Sequence, residues 1–399
     1  MKRILFVINT LGRGGAEAAL IELIKKLDKS EYQVYLYVIM GQGELIEKIP
    51  EDVLLLNEKF DNNDVLSKEG KKHLKKNILK LMFSKGSVFK NFFYLAGNTL
   101  KMISKGKILP DKLLWKTLSD GAARFDIEFD LAVAYIEGAS AYYVRDYVKA
   151  KKKAAFIHVN YTEAGYNRKL DKDVYTDFDK IFTVSEDVKE SFLNEYPECA
   201  DKADIFENII DRDSVINRSN EAGGFDDEFD GKRILTIGRL TAQKAIDISI
   251  DACKFLKEKG LNVRWYVLGD GELHGELQKK IDDEGLKESF FLLGVKDNPY
   301  TYLRQCDIYV HASKYEGKSI AIREAQILSK PIVVSDCKSN LEQVEEGKDA
   351  LVSVLDSEAI SEKIETLLKN EELRNSIAKK AGLRYLLIPD DSAKLTEML

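Results

Sequence analysis

The feature that most constrains the fold is a series of short, almost uninterrupted apolar runs separated by helical stretches. In the second half these runs are "RILTIGR" (233–239), "VRWYVLGDG" (263–271), "FFLLGV" (290–295), "IYVHAS" (308–313), "PIVVSD" (331–336) and "ALVSV" (350–354). Runs without polar alternation suit strands buried on both faces. Strand–helix repetition then predicts an α/β architecture with a parallel, doubly wound sheet. The first half repeats the theme more loosely, with "RILFVIN" (3–9), "YQVYLYVIM" (32–40), "VLLLN" (53–57), "DLAVAYIEG" (130–138), "AAFIHV" (154–159), "KIFTVSE" (180–186) and "ADIFENI" (203–209). The reading is two Rossmann-like domains, 1–216 and 232–382. The polar stretch 217–231, "NRSNEAGGFDDEFDG", is taken as linker, and the tail 383–399 as returning to the first domain. Ligands of such sheets bind outside the carboxyl ends of the strands, here expected to face each other across a cleft.

Several function classes drop out. No apolar run approaches the roughly 18 residues that span a bilayer. The N-terminal ILFVI is too short for a signal peptide and reads as a first strand. Cys199, Cys253, Cys306 and Cys337 form no CxxC pair and read as reduced thiols of a cytoplasmic protein. Four scattered histidines give no zinc-ligand spacing. The net charge of −6 hides an asymmetry. Residues 68–107 hold eleven lysines and one acid, +10, so the rest of the chain carries −6 − 10 = −16.

Within an insertion spanning 66–118, Leu74, Ile78, Leu81 and Met82, then Phe89, Phe92, Phe93, Leu100 and Ile103, follow helical spacing with lysines on the flanks. This predicts one or two amphipathic helices. Lys71, Lys72, Lys75, Lys76 and Lys80 are the candidates for docking on an anionic membrane surface, the inner face of the plasma membrane, where a lipid-linked acceptor would be met. Nucleic acid is not expected, because the strip lacks arginine and the remainder is acidic.

Two phosphate-binding patterns fail. Gly317-Lys318-Ser319 imitates the end of a P-loop, but the required first glycine is Ala312, inside a strand. "NTLGRGGAE" (9–17) carries Glu17 where a dinucleotide fingerprint needs Gly or Ala. Its glycines still suit an anion at a helix N-terminus. Arg239 and Lys244, past a strand end with no acid nearby in sequence, suit a diphosphate. Glu316, in the loop after "IYVHAS", and Glu324, early in the next helix, can both accept sugar hydroxyls. Asp171-x-Asp173 and Asp211-x-Asp213 resemble a metal-binding DxD but do not follow a strand as that chemistry requires. They read as surface acids, and no metal or other cofactor is expected.

The E-x7-E of Glu316 and Glu324, the Gly238-Arg239-Leu240-x3-Lys244 loop, Gly14-Gly15-Ala16-Glu17, "VLGDGEL" (267–273) and "LLGVKDN" (292–298) occur in order. Together they resemble the retaining nucleotide-sugar glycosyltransferases of family 4, with the GT-B fold, most strongly over 232–382 and in the form found in capsule and surface-polysaccharide clusters. The resemblance implies that Arg239 and Lys244 hold a donor diphosphate, Glu324 the ribose, and Glu316 the donor sugar. It also implies backbone contacts at Lys318, Ser319 and Ile320, base contacts at Val295 and Lys296, and Gly14, Gly15 and Gly238 close to the diphosphate. His158 matches the first-domain histidine near the reacting sugar. The implied partners are a nucleotide-sugar, expected to be UDP-linked, and a lipid-linked or glycan acceptor; a hexosyl or N-acetylhexosaminyl transfer is expected. A UDP-sugar 2-epimerase of the same architecture and a non-catalytic nucleotide-sugar-binding module are the alternatives. Two departures stand out: Ser319 replaces a glycine of the sugar-facing turn, and Ala245 replaces the glycine after the phosphate lysine. Oligomeric state is not legible.

Overall fold

The computed structural model describes residues 1–104 and 109–399, so Lys105 and Lys107 of the basic stretch lie outside the described residues. The chain forms two compact units: Met1–Ile209 with Asp390–Leu399, and Ile210–Pro389.

Unit 1 is built on seven strands: β1 (Lys2–Ile8), β2 (Tyr32–Val38), β3 (Leu54–Leu55), β4 (Glu128–Ala134), β5 (Lys149–Ile157), β6 (Lys180–Thr183) and β7 (Ala203–Ile205). They pair in parallel in the order β3-β2-β1-β4-β5-β6-β7. The continuous apolar run of β1 has its physical reason in this order. Ile4, Phe6 and Ile8 enter one buried cluster while Leu5 and Val7 enter another on the opposite face. The sheet order reverses between β1 and β4, leaving an opening at their carboxyl ends.

Unit 2 repeats the plan with β8 (Lys232–Ile237), β9 (Val263–Leu268), β10 (Phe290–Leu292), β11 (Ile308–His311), β12 (Ile332–Ser335) and β13 (Leu351–Ser353). Their order is β10-β9-β8-β11-β12-β13, all parallel. Here the reversal falls between β8 and β11, which pair through Ile234↔Ile308 and Leu235↔Tyr309.

Three expectations change. Residues 217–231 are no linker: the units part at 209/210, and a helix capped by Asp211 spans Arg212–Ser219. Phe225 then packs on Tyr266 and Tyr302, and Asp227 is held by Arg233 and Arg264. The stretch therefore straps unit 2, its anchoring residues hidden in polar surroundings. Of the tail, residues 390–399 belong to unit 1. Leu395 is fully buried there, and Lys394 Nζ donates to the Ile205 carbonyl at 2.7 Å. The segment up to Pro389 stays with unit 2.

The insertion forms helices Lys68–Phe83, Phe92–Ser104 and Pro110–Gly121 with short turns between the first two. Its apolar spacing divides in two. Leu74, Ile78, Leu81 and Met82 pack against the unit 1 core, whereas Phe89, Phe92, Phe93, Leu100 and Ile103 face outward, Phe93 being 89% exposed. No helix among the described residues is long and apolar enough to cross a membrane.

Candidate functional site

In unit 2 the switch point brings the loop after β8 against the loop after β11. Lys244 and Glu316, 72 residues apart in sequence, form an ion pair there. The cation that sequence placed far from any acid is thus paired with one. Glu316 is buried, and three donors reach its Oε1: Lys244 Nζ, Ser313 Oγ at 2.5 Å and His311 Nε2 at 3.0 Å. Burial alone would raise this carboxyl, but Lys244 and His311 outweigh it and hold Glu316 well below the usual carboxylate range. Gln243 donates to the Tyr315 carbonyl at 2.8 Å and approaches Glu316 Oε2 at 3.4 Å.

Gly238 lies against the Lys244 stem, and a Cβ on Gly269 (φ +139°) would collide with the Gly238 carbonyl. The glycines thus let the ends of β8 and β9 close up beneath the lysine. Arg239 is exposed and has no protein ion pair among the described residues, so its guanidinium is open to an anion. Ala245 is buried at φ +47°, ψ +40°, the left-handed region. The glycine expected there from the family resemblance would meet no such strain.

Ser319 caps helix Ile320–Ile327, its Oγ accepting from Ile322 N at 3.4 Å. In the orientation that satisfies both groups, the Gln343 amide accepts from Ser319 N–H at 3.0 Å and donates to Ser319 O at 2.9 Å. The Ser319 amide, expected to face sugar or phosphate, is therefore taken by the protein. Lys318 and Ile320 are half-buried beside it. Glu324, on the same helix, accepts from Tyr300 OH at 2.9 Å. Burial pushes its carboxyl up to about 7, against that hydrogen bond and the charge of Arg218. Val295 and Lys296 follow β10, with the Lys296 ammonium 5.8 Å from the centre of the Tyr302 ring.

In unit 1, Gly14 and Gly15 open helix Gly15–Lys26. The Glu17 carboxylate lies over Gly14, where a Cβ would stand, so the protein's own acid sits at this helix N-terminus. His158 follows β5, its ring 5.0 Å from that of Tyr135 and stacked on Phe156 at 5.9 Å. Burial lowers it to about 4 despite a hydrogen bond with the Tyr135 backbone, so the imidazole is neutral. Its Nε2 is buried without a hydrogen-bond partner among the described residues. Its backbone N–H donates to Glu137 Oε2 at 3.0 Å, and Asn9 Nδ2 donates to the Glu137 carbonyl at 3.1 Å. Asn9, Glu137 and His158 therefore meet at the reversal of this sheet.

Sequence reasoning missed His311, Ser313, Tyr300 and Glu137. An ionisable residue inside an apolar strand, as in "IYVHAS", is the available signal, because a buried polar group needs a partner. Asp171 is a correction. It is buried, not a surface acid, and accepts from Tyr142 at 2.9 Å and from Tyr161. Asp173 pairs with Arg168, and Asp213 is exposed. Among the described residues no three His, Cys, Asp or Glu side chains cluster as metal ligands would.

Two Rossmann-like α/β units of this kind make up the GT-B fold. Anabaena Alr3699/HepE, solved with UDP and glucose, covers the whole chain at a TM-score of 0.68 and 17% identity, with 98% of its own chain matched. A variant of S. aureus TarM, solved with fondaparinux, alpha-GlcNAc-glycerol and UDP, gives 0.67 and 14%, covering 100% and 99% of the two chains. Residues 225–384 match the family of glycosyl transferases group 1. A Campylobacter jejuni N-acetylgalactosamine-N,N'-diacetylbacillosaminyl-diphospho-undecaprenol 4-alpha-N-acetylgalactosaminyltransferase is 29% identical over 220 residues, 55% of this chain and 58% of that protein. A Staphylococcus aureus poly(ribitol-phosphate) alpha-N-acetylglucosaminyltransferase is 26% identical over 242 residues, 58% of this chain and 47% of that one. The chain spans about half the length of the curated relatives it matches.

Proposed function

We propose that the protein is a retaining glycosyltransferase that moves a hexosyl or N-acetylhexosaminyl group from a UDP-sugar to a lipid-linked or polysaccharide acceptor of a bacterial surface glycan. The observation that carries this reading is the buried, ionised Glu316 held against Lys244 beside the open guanidinium of Arg239. An anion that accepts sugar hydroxyls next to cations for a diphosphate is what a departing nucleoside diphosphate requires. Arg239 and Lys244 stabilise the leaving group in place of a metal, Glu316 holds the donor sugar, and Glu324 takes the ribose hydroxyls. Lys318, Ser319, Ile320, Val295 and Lys296 frame sugar and base. Within unit 1, the acceptor-binding unit, the residues assigned a role are Gly14, Gly15 and the neutral His158. The relatives named as glycosyltransferases support the class, and the UDP bound in the two similar structures supports the choice of donor.

The test is UDP release from a panel of UDP-sugars, with Glu316→Gln and Lys244→Ala as controls. Both variants should lose at least about 100-fold in turnover, the scale of lost electrostatic stabilisation. Full activity in either overturns the assignment, and sugar isomerisation without UDP release would point to the epimerase.

The protein also docks reversibly on the inner face of the plasma membrane. Support comes from the outward aromatic residues Phe89, Phe92 and Phe93 beside the lysines of helix Lys68–Phe83. Each lysine near an anionic leaflet contributes about 1 kcal/mol. Changing Lys71, Lys72, Lys75, Lys76 and Lys80 to Glu should abolish sedimentation with anionic liposomes, and unchanged sedimentation refutes the idea.

A further inference from the structure

Glu316 Oε1 receives three donors while, among the described residues, Oε2 receives only the 3.4 Å approach of Gln243. The two oxygens of one carboxylate are therefore not equivalent. Of the three donors, the lysine supplies charge on a flexible stem and fixes no plane. Ser313 is placed by β12: its N–H donates to Ser335 Oγ at 2.8 Å, and Ser335 Oγ donates to the Ser313 carbonyl at 2.7 Å. Ser339 Oγ donates to the Glu316 carbonyl at 3.1 Å, fixing the backbone.

His311 is the rigid member. It is the last residue of β11, buried, with β11 paired to β12 through His311↔Val334. A carboxylate can only accept, so Nε2 carries the proton. Nδ1 is then the acceptor of the Tyr309 hydroxyl, 3.0 Å away and itself fully buried. The phenol thus fixes the imidazole tautomer, the imidazole fixes one carboxylate oxygen, and the other is left over.

We propose that His311, backed by Tyr309, is a positioning residue for Glu316: it pins Oε1 together with Lys244 and Ser313, and so offers Oε2 alone to a donor-sugar hydroxyl. The identity of that hydroxyl rests on the glycosyltransferase reading above, while the pinning rests on the geometry.

Two measurements on the full chain test this. With only four histidines, His311 is assignable in nitrogen-15 spectra of histidine-labelled protein by its loss in His311→Gln. The expected signal is a neutral Nε2–H ring that does not titrate between about pH 5.5 and 8.5. A ring protonated on Nδ1, or one that titrates in this range, overturns the proposal. The second measurement is kinetic. His311→Phe should lower kcat on the order of 100-fold, as small misplacements of a reacting group do. His311→Gln keeps a donor near the Nε2 position and should lose about tenfold or less. Calorimetric UDP affinity should change no more than about threefold in either, roughly 0.6 kcal/mol. If UDP affinity and melting temperature fall in step with kcat, or if His311→Phe keeps full kcat, His311 has no positioning role. If the wild-type protein turns over no nucleotide sugar while the Nε2–H tautomer is found, the pinning stands and the glycosyltransferase reading fails.

Discussion

Asp171 in unit 1 and Glu316 in unit 2 are both buried carboxyls, yet near neutral pH the first is held protonated and the second ionised. Asp171 is met by two phenols, Tyr142 and Tyr161, and burial pushes it up to about 8, with Glu137 and Glu195 adding to the rise and Lys112 too weak to reverse it. Glu316 has one ammonium, one imidazole and one hydroxyl, and stays ionised. Hydrogen bonds from neutral hydroxyls do not offset the loss of water around a charge, whereas a cation at contact does. Burial therefore says nothing about protonation until the partners are named.

The contrast can be broken at its strongest point. Lys244→Met leaves Glu316 buried without its cation and should cost about 3–5 kcal/mol in denaturant unfolding, with most of the loss recovered in Lys244→Met/Glu316→Gln. An unchanged midpoint would show that the pair is solvated.

Opposite pH slopes sharpen it. The Asp171 value in the folded chain lies above its unfolded value of 3.8, so the folded state keeps a proton that the unfolded state releases. Wild type should therefore lose stability relative to Asp171→Asn as pH rises from about 4 to 8, by up to about 1.4 kcal/mol per unit. Glu316 lies below its unfolded value, so its contribution is present above about 4.5 and fades only as pH falls below that. Equal slopes for Asp171→Asn and Glu316→Gln in chemical denaturation would erase the distinction.

Glu324 stands between the two. Its carboxyl, raised to about 7, is half protonated near neutrality. Ribose hydroxyls donating to it favour the ionised form, so UDP affinity should weaken as pH drops below about 7, by at most about tenfold per unit. Titration calorimetry of wild type against Glu324→Gln isolates this component from the titration of the phosphate, and identical profiles would remove Glu324 from the ribose site. The smallest effect belongs to Ala245→Gly. Relief of the left-handed strain, about 1–2 kcal/mol, opposes loss of a buried methyl near 0.8 kcal/mol. The net gain should be under about 1 kcal/mol in thermal unfolding.

What was legible in sequence follows from how each feature is encoded. Parallel strands buried on both faces are written locally, so β1, β8 and β11 are recognisable as apolar runs. Lys244 and Glu316 were each recognisable, but their contact depends on β8 lying beside β11, which no local pattern states. His311 reads as core because its partners Tyr309 and Glu316 matter only once the strand end is turned toward the loop. Asp171 was misread because its partner Tyr142 is 29 residues away, so a pattern of two spaced acids looked solvent-facing. Phe225 and Asp227 were overlooked in the supposed linker because composition averages away single anchors.

The return of residues 390–399 to unit 1 has a consequence for biosynthesis. Unit 2 is one contiguous segment, Ile210–Pro389, and every residue it needs has been made when Pro389 is added. Unit 1 must wait for Leu395, a fully buried core residue that follows all of unit 2 in the sequence. On the ribosome, the unit whose synthesis starts first is therefore the unit whose core is completed last.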